Sequence, residues 1–260
     1  MVNKERLIII GVLFVLGFFA TNFNQTLAFT FFIFIVAYAL NLLFDTKISF
    51  PFVRQNNDYT KSFIIALSIW IGFVFLSQFV TKSLSFFDTV KFLSTQVFAQ
   101  TLAFENNPIL IFLAYALIIP FSESLSFFGT LLEIAVDTLK IKSRSLTDTG
   151  AIASILIVGV LFSIFHITAR IGPGIGGQFN TSLFIVFLFG AISSAMVIYT
   201  GQLLEAVLFH MIANSVALFN IILQNIQTLT IILIAIASVG AFTFIIKRID
   251  LRRLLNGNRA

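Results

Sequence analysis

The chain has 260 residues, of which 58% are hydrophobic and 10% charged, with a mean hydropathy of +1.03 and a formal net charge of +5. No soluble globular domain has this composition, and the lack of cysteine excludes disulfides, thiolate metal sites and a cysteine nucleophile. In hydrocarbon only helices and closed barrels satisfy their own backbone groups, and the apolar runs here do not alternate with polar residues as barrel strands must.

The predicted class is therefore all-α, a polytopic integral membrane helix bundle treated as one domain over residues 1–260. A span needs ~20 residues, and eight runs approach that length: Leu7 to Phe23, Leu27 to Phe44, Phe63 to Val80, Ile109 to Val136, Ala151 to Ala169, Ser182 to Thr200, Leu203 to Leu223 and Leu229 to Ile246. The first follows Lys4 and Arg6, as a signal peptide would, but Phe18, Phe19 and Phe23 occupy the place of a small-residue cleavage site. It is expected to be retained as a span. Between the third and fourth runs, Thr81 to Asn107 is less apolar and predicts an interfacial helix or two on the outer surface. The glycine-rich stretch from Arg170 to Thr181 has no Lys-Ser/Thr pair after it, so it is expected to be a tight loop and not a phosphate loop.

Basic residues accumulate on the cytoplasmic side of a membrane. With the N-terminus inside, Lys4, Arg6, Lys47, Arg54, Lys61, Lys140, Lys142, Arg144, Lys247, Arg248, Arg252, Arg253 and Arg259 all fall inside, and only Lys82, Lys91 and Arg170 fall outside. Both termini are thus expected in the cytoplasm of a multi-pass cell-membrane protein, with a basic tail at 247–260. The positive charge is assigned to topology and contact with lipid headgroups, not to nucleic acid.

Within the spans, the costly groups are Glu123 and both histidines of the chain, His166 and His210. A carboxylate at mid-helix costs at least ~2.5 kcal/mol on insertion scales, so Glu123 should face the bundle interior and find a partner. Glu133, Asp137 and Glu205 lie near cytoplasmic span ends and are expected to reach the interface. Phe162-x-x-x-His166 and His210-x-x-x-Asn214 each place two residues on one helical face, predicted to point toward Glu123. Pro120 has no N–H for the carbonyl of Ala116, so a kink and a freed carbonyl are expected beside the acid. Counted at ~1.5 Å per residue from the cytoplasmic ends, His166 should lie ~12 Å further out than His210, with Glu123 between.

These residues resemble the CPBP, or ABI, family of intramembrane proteases related to the type II CAAX prenyl endopeptidase. That family carries Glu-Glu-x-x-x-Arg, Phe-x-x-x-His and His-x-x-x-Asn, in that order, on separate helices. Phe162-Ser-Ile-Phe-His166 and His210-Met-Ile-Ala-Asn214 match the second and third motifs, and Glu123-Ser124-Leu125-Ser126-Phe127-Phe128 corresponds to the first. The second glutamate is Ser124 here and the arginine is Phe128. The resemblance covers about 109–223 and implies a glutamate-type membrane protease, CAAX prenyl protease 2-like. In it Glu123 and His166 would activate a water while His210 and Asn214 bind the oxyanion. It implies a peptide or lipidated-protein substrate, prenylated CAAX proteins in the best-known branch, and no cofactor. Two alternatives stay open: a scaffold that keeps the cavity without cleaving, and a proton- or ion-coupled transporter. Zinc on the two histidines and the carboxylate is a variant of the catalytic and transport cases, not favoured because no His-Glu-x-x-His occurs.

Overall fold

The computed structural model describes residues 58–83, 85–98, 112–139, 148–166, 179–223 and 226–248. The expected spans Leu7 to Phe23 and Leu27 to Phe44 lie outside them, as do most of the glycine-rich stretch and of the basic tail. All the elements present are helical: α1 (Tyr59–Thr81), α2 (Phe86–Phe98), α3 (Phe112–Thr138), α4 (Thr149–Phe165), α5 (Phe179–Thr200), α6 (Leu204–Ile222) and α7 (Thr228–Arg248). By length and apolarity α1, α3, α6 and the Thr181–Thr200 part of α5 can each cross a membrane, while α4 and the Thr228–Phe244 part of α7 are apolar but shorter. Helix α2 stands where an interfacial helix is expected.

Two aspartates start helices by accepting from otherwise orphaned N–H groups. Asp58 Oδ1 takes the amides of Thr60 and Lys61, both at 3.1 Å, and Asp148 Oδ1 takes those of Gly150 and Ala151 at 2.8 and 3.3 Å. The helices differ in what surrounds them. Along α6 the run Leu204–Leu218 is buried apart from Ala213, so this helix is the axis of the bundle and α1, α2, α3, α5 and α7 pack around it. By contrast α1 exposes Ile64, Phe75 and Phe79, and α4 exposes Leu156, Ile157, Val160 and Ile164. Outward apolar faces of this kind suit hydrocarbon, where they would be a liability in water.

Between α4 and α5 the backbones nearly touch. A Cβ added to Gly190 would lie 3.0 Å from Phe162 Cβ and 3.2 Å from Gly159 Cα, and one added to Gly159 would lie 3.2 Å from the Ala191 amide nitrogen. Small residues at a crossing allow this approach, which in lipid replaces the hydrophobic effect as the source of helix association. Ser163 Oγ adds a hydrogen bond to the Leu183 carbonyl at 2.9 Å across the same pair. An aromatic column continues inward, with Phe189 of α5 stacked on Phe209 of α6 at 4.5 Å and edge-on to Phe73 of α1 at 5.5 Å.

The entry to α6 departs from expectation. Gly201 has φ 67°, a left-handed turn that suits glycine, and Thr200 Oγ1 accepts from the Gln202 amide at 3.2 Å. Leu203, Leu204 and Glu205 after it are buried, so the first turn of the helix is covered by neighbouring helices. Glu205, expected at the interface, is instead 3% exposed and accepts a hydrogen bond from Ser62 Oγ of α1 at 2.9 Å.

The α4–α5 contact predicts a contrast between two glycines. Gly190→Ala should overpack the crossing and lower stability by about 1–3 kcal/mol, whereas Gly72→Ala, with nothing within 4 Å of the added methyl, should not. Thermal unfolding in detergent distinguishes them, and equal midpoints would contradict the close packing.

Candidate active site

Helix α3 carries Glu123 through an irregular stretch. Phe112–Ile118 and Leu125–Leu131 are π-helical, and the short α-helical piece Ile119–Ser124 between them holds Pro120, Glu123 and Ser124. Each π segment rotates the side chains beyond it, which is why such bulges gather at functional sites. The irregularity expected at Pro120 is present, but the register differs. In a π ladder position 120 would serve the carbonyl of Tyr115, not Ala116, and Asn214 Nδ2 of α6 donates to that Tyr115 oxygen at 3.1 Å. Serine hydroxyls also turn back on the helix: Ser122 Oγ donates to the Ile119 carbonyl at 3.0 Å and Ser126 Oγ to the Ser122 carbonyl at 2.8 Å.

Both histidines converge on one oxygen of Glu123. His166 Nε2 stands 3.7 Å and His210 Nε2 3.6 Å from Glu123 Oε2. The ~12 Å separation expected between the histidines is not found: both Nε2 atoms lie within 3.7 Å of the same carboxylate oxygen, one at the end of α4 and one in the buried part of α6. The expected span runs on to Ala169, whereas His166 caps α4, whose last helical residue is Phe165. There the four-residue spacing acquires a further use, since His166 Nδ1 lies 2.7 Å from the carbonyl oxygen of Phe162. On the other ring, His210 Nδ1 lies 3.1 Å from Ser124 Oγ. Each imidazole is thus held at Nδ1 and presents Nε2 to the acid.

The group is open to the surface on the His166 side. The His166 side chain is 20% exposed, against 10% for Glu123 and 5% for His210. Behind them lies an aromatic wall centred on Phe162, whose ring is 4.3 Å from that of His166, 5.2 Å from Phe127 and Phe128, and 5.8 Å from Phe189. Phe189 in turn meets His210 at 4.9 Å. Phe128 is wholly buried in this wall, so the position expected for an arginine has become packing for the histidine helix.

Of the residues singled out from sequence, Glu123, His166 and His210 come together, and Asn214 lies one turn along α6 from His210 with one amide N–H given to Tyr115. Sequence reasoning missed the contacts of Ser124 and Phe189. For Ser124 the signal was present, a polar residue at a polar position of the motif; for Phe189 nothing in the spacing pointed to it. Among the described residues no set of histidine and acidic side chains has the arrangement of a metal site.

Residues 105–216 match the family described as Rce1-like, type II CAAX prenyl endopeptidase Rce1-like, and this bears out the resemblance to the CPBP/CAAX proteases. The matched segment contains all four residues of the cluster. Comparison with curated proteins and with solved structures gave no match. An apolar helix bundle with this family segment is a membrane protein.

Restoring the family arginine should harm this chain. Phe128→Arg buries a guanidinium in an aromatic wall, which costs several kcal/mol unless an anion meets it. The expected result is a reduced folded yield and a lowered unfolding midpoint in detergent, while Phe128→Leu is tolerated far better. An arginine variant at least as stable as the parent would show that position 128 faces the acid and not Phe162.

Proposed function

We propose that the chain, a CPBP/CAAX-family membrane protease through residues 105–216, is a glutamate-type intramembrane endopeptidase that hydrolyses a peptide bond at or near the membrane. The observation that carries this reading is the convergence of both Nε2 atoms on Glu123 Oε2 at 3.6 and 3.7 Å in a buried, one-sided cleft.

The chemistry follows from what each group can do there. His166 Nδ1 faces a carbonyl, which can only accept, so that nitrogen carries a proton and neutral His166 offers a bare Nε2. Glu123 Oε2 and His166 Nε2 are then two acceptors facing each other, and a water between them can give a proton to each. As its oxygen attacks the scissile carbonyl, the pair takes up one proton, and it gives that proton to the leaving nitrogen as the C–N bond breaks, so that a neutral amine departs. His210 and the second N–H of Asn214 are the donors assigned to the oxyanion, where preorganised hydrogen bonds in a dry site act most strongly. A zinc ion would compete for the same three atoms and would need both Nε2 nitrogens unprotonated; the scheme uses no cofactor.

The substrate class is a peptide or lipidated protein reached from the bilayer. The eight-span topology in the cell membrane, with both termini cytoplasmic, and a role for lipid but not nucleic acid belong to this proposal. A second reading, a non-cleaving scaffold that binds such a partner, is favoured by one observation: Phe128 in the aromatic wall where the family has an arginine.

The test is cleavage by the purified protein in liposomes of a fluorogenic prenylated C-terminal peptide and a panel of transmembrane peptides. Glu123→Gln and His166→Ala should abolish turnover, and Asn214→Ala should lower it on the order of 100-fold. Turnover that survives Glu123→Gln would sink the proposed chemistry, and folded wild type with no turnover would leave the scaffold.

A further inference from the structure

The two imidazoles are held by partners of different kinds, and the difference concerns Ser124, a residue without a role in the hydrolytic scheme. Its hydroxyl is fully buried and lies 3.1 Å from His210 Nδ1. The corresponding partner of His166 Nδ1 is the Phe162 carbonyl at 2.7 Å. A carbonyl fixes the proton on the nitrogen it faces, whereas a hydroxyl can either give or receive.

What decides the matter for His210 is its other nitrogen. Nε2 stands 3.6 Å from Glu123 Oε2. With the proton on Nε2, the ring places its N–H end near a carboxylate oxygen at 3.6 Å, an electrostatic contact longer than a hydrogen bond, and Ser124 donates to the bare Nδ1. With the proton on Nδ1, two lone pairs face each other across 3.6 Å in a buried site and the serine proton has to find another acceptor. For His210, whose side chain is 5% exposed against 20% for His166, the first arrangement leaves both ring nitrogens beside a complementary neighbour.

We propose that Ser124 is a positioning residue that holds His210 as the Nε2–H tautomer, while the Phe162 carbonyl holds His166 as the Nδ1–H tautomer. The two rings then present opposite ends to the site: His166 a bare Nε2 and His210 an Nε2–H. The tautomer pair stands on these contacts alone. Its consequence for catalysis, a division of labour in which only His166 handles the water's proton and only His210 faces the oxyanion, rests on the hydrolytic reading.

The chain has two histidines, so ¹⁵N-histidine labelling gives two imidazoles. Full-length protein in lipid bilayers, studied by solid-state NMR and assigned with His166→Gln, should show one ring protonated at Nδ1 (His166) and one protonated at Nε2 (His210). Ser124→Ala should leave the His166 signals in place and shift those of His210 toward a tautomer mixture. Ser122→Ala, which removes a hydroxyl bonded to the Ile119 carbonyl, should change neither. His210 protonated at Nδ1 or at both nitrogens in the wild type, or unmoved by Ser124→Ala, would overturn the proposal. The Nδ1–H form with a bare Nε2 is also what a bound metal ion would require. An inactive protein with opposite tautomers would defeat the hydrolytic reading and leave this one, and an active protein with like tautomers would do the reverse.

Discussion

A carboxylate inside a bundle of apolar helices has to be answered, because at mid-membrane it costs at least ~2.5 kcal/mol and no solvent relieves it. At Glu123 the answer comes from two imidazoles on separate helices, each 3.6–3.7 Å from the same oxygen. Much of the remaining architecture serves that meeting. The π segments on either side of Ile119–Ser124 set the direction of the acid, the left-handed turn at Gly201 leads the chain from α5 into the buried helix α6 that carries His210, and the Gly159–Gly190 crossing brings α4 against α5.

The aromatic wall explains how such a polar group persists without its own extended polar network. Phe162 gives its carbonyl to His166 and its ring to Phe127, Phe128 and Phe189, so one residue both orients a histidine and seals the site behind it. Sealing on one side and the 20% exposure of His166 on the other define a direction of approach for water. Phe128, at the position where the resembled family has an arginine, places its ring 5.2 Å from that of Phe162 and so packs against the helix that carries His166.

The class of fold was legible because composition alone forces helices in hydrocarbon, and the identities of Glu123, His166, His210 and Asn214 were legible because polar side chains in apolar runs are costly and few. What was not legible is geometry that depends on where helices begin. Residue counting placed His210 ~12 Å from His166 in depth because it assumed that each span starts at the membrane surface and runs straight across; in the structure both rings reach one carboxylate oxygen, and the first turn of α6 is held to α1 through Ser62 and Glu205. The same assumption sent Glu205 to the interface. Pro120 announced an irregular backbone, but the change to π register, which moves the affected carbonyl to Tyr115 and gives it to Asn214, depends on contacts between helices that no local pattern encodes.

The central claim is that Glu123 delivers a water to a peptide carbonyl. Single-turnover cleavage in H₂¹⁸O, with enzyme in excess over substrate in liposomes, tests it most directly by mass spectrometry of both the product and the Glu123 peptide. The account predicts that the new carboxylate carries ¹⁸O from the first turnover and that Glu123 carries none. Label in Glu123, with unlabelled product in the first turnover, would mean a covalent acyl-glutamate and would contradict the account.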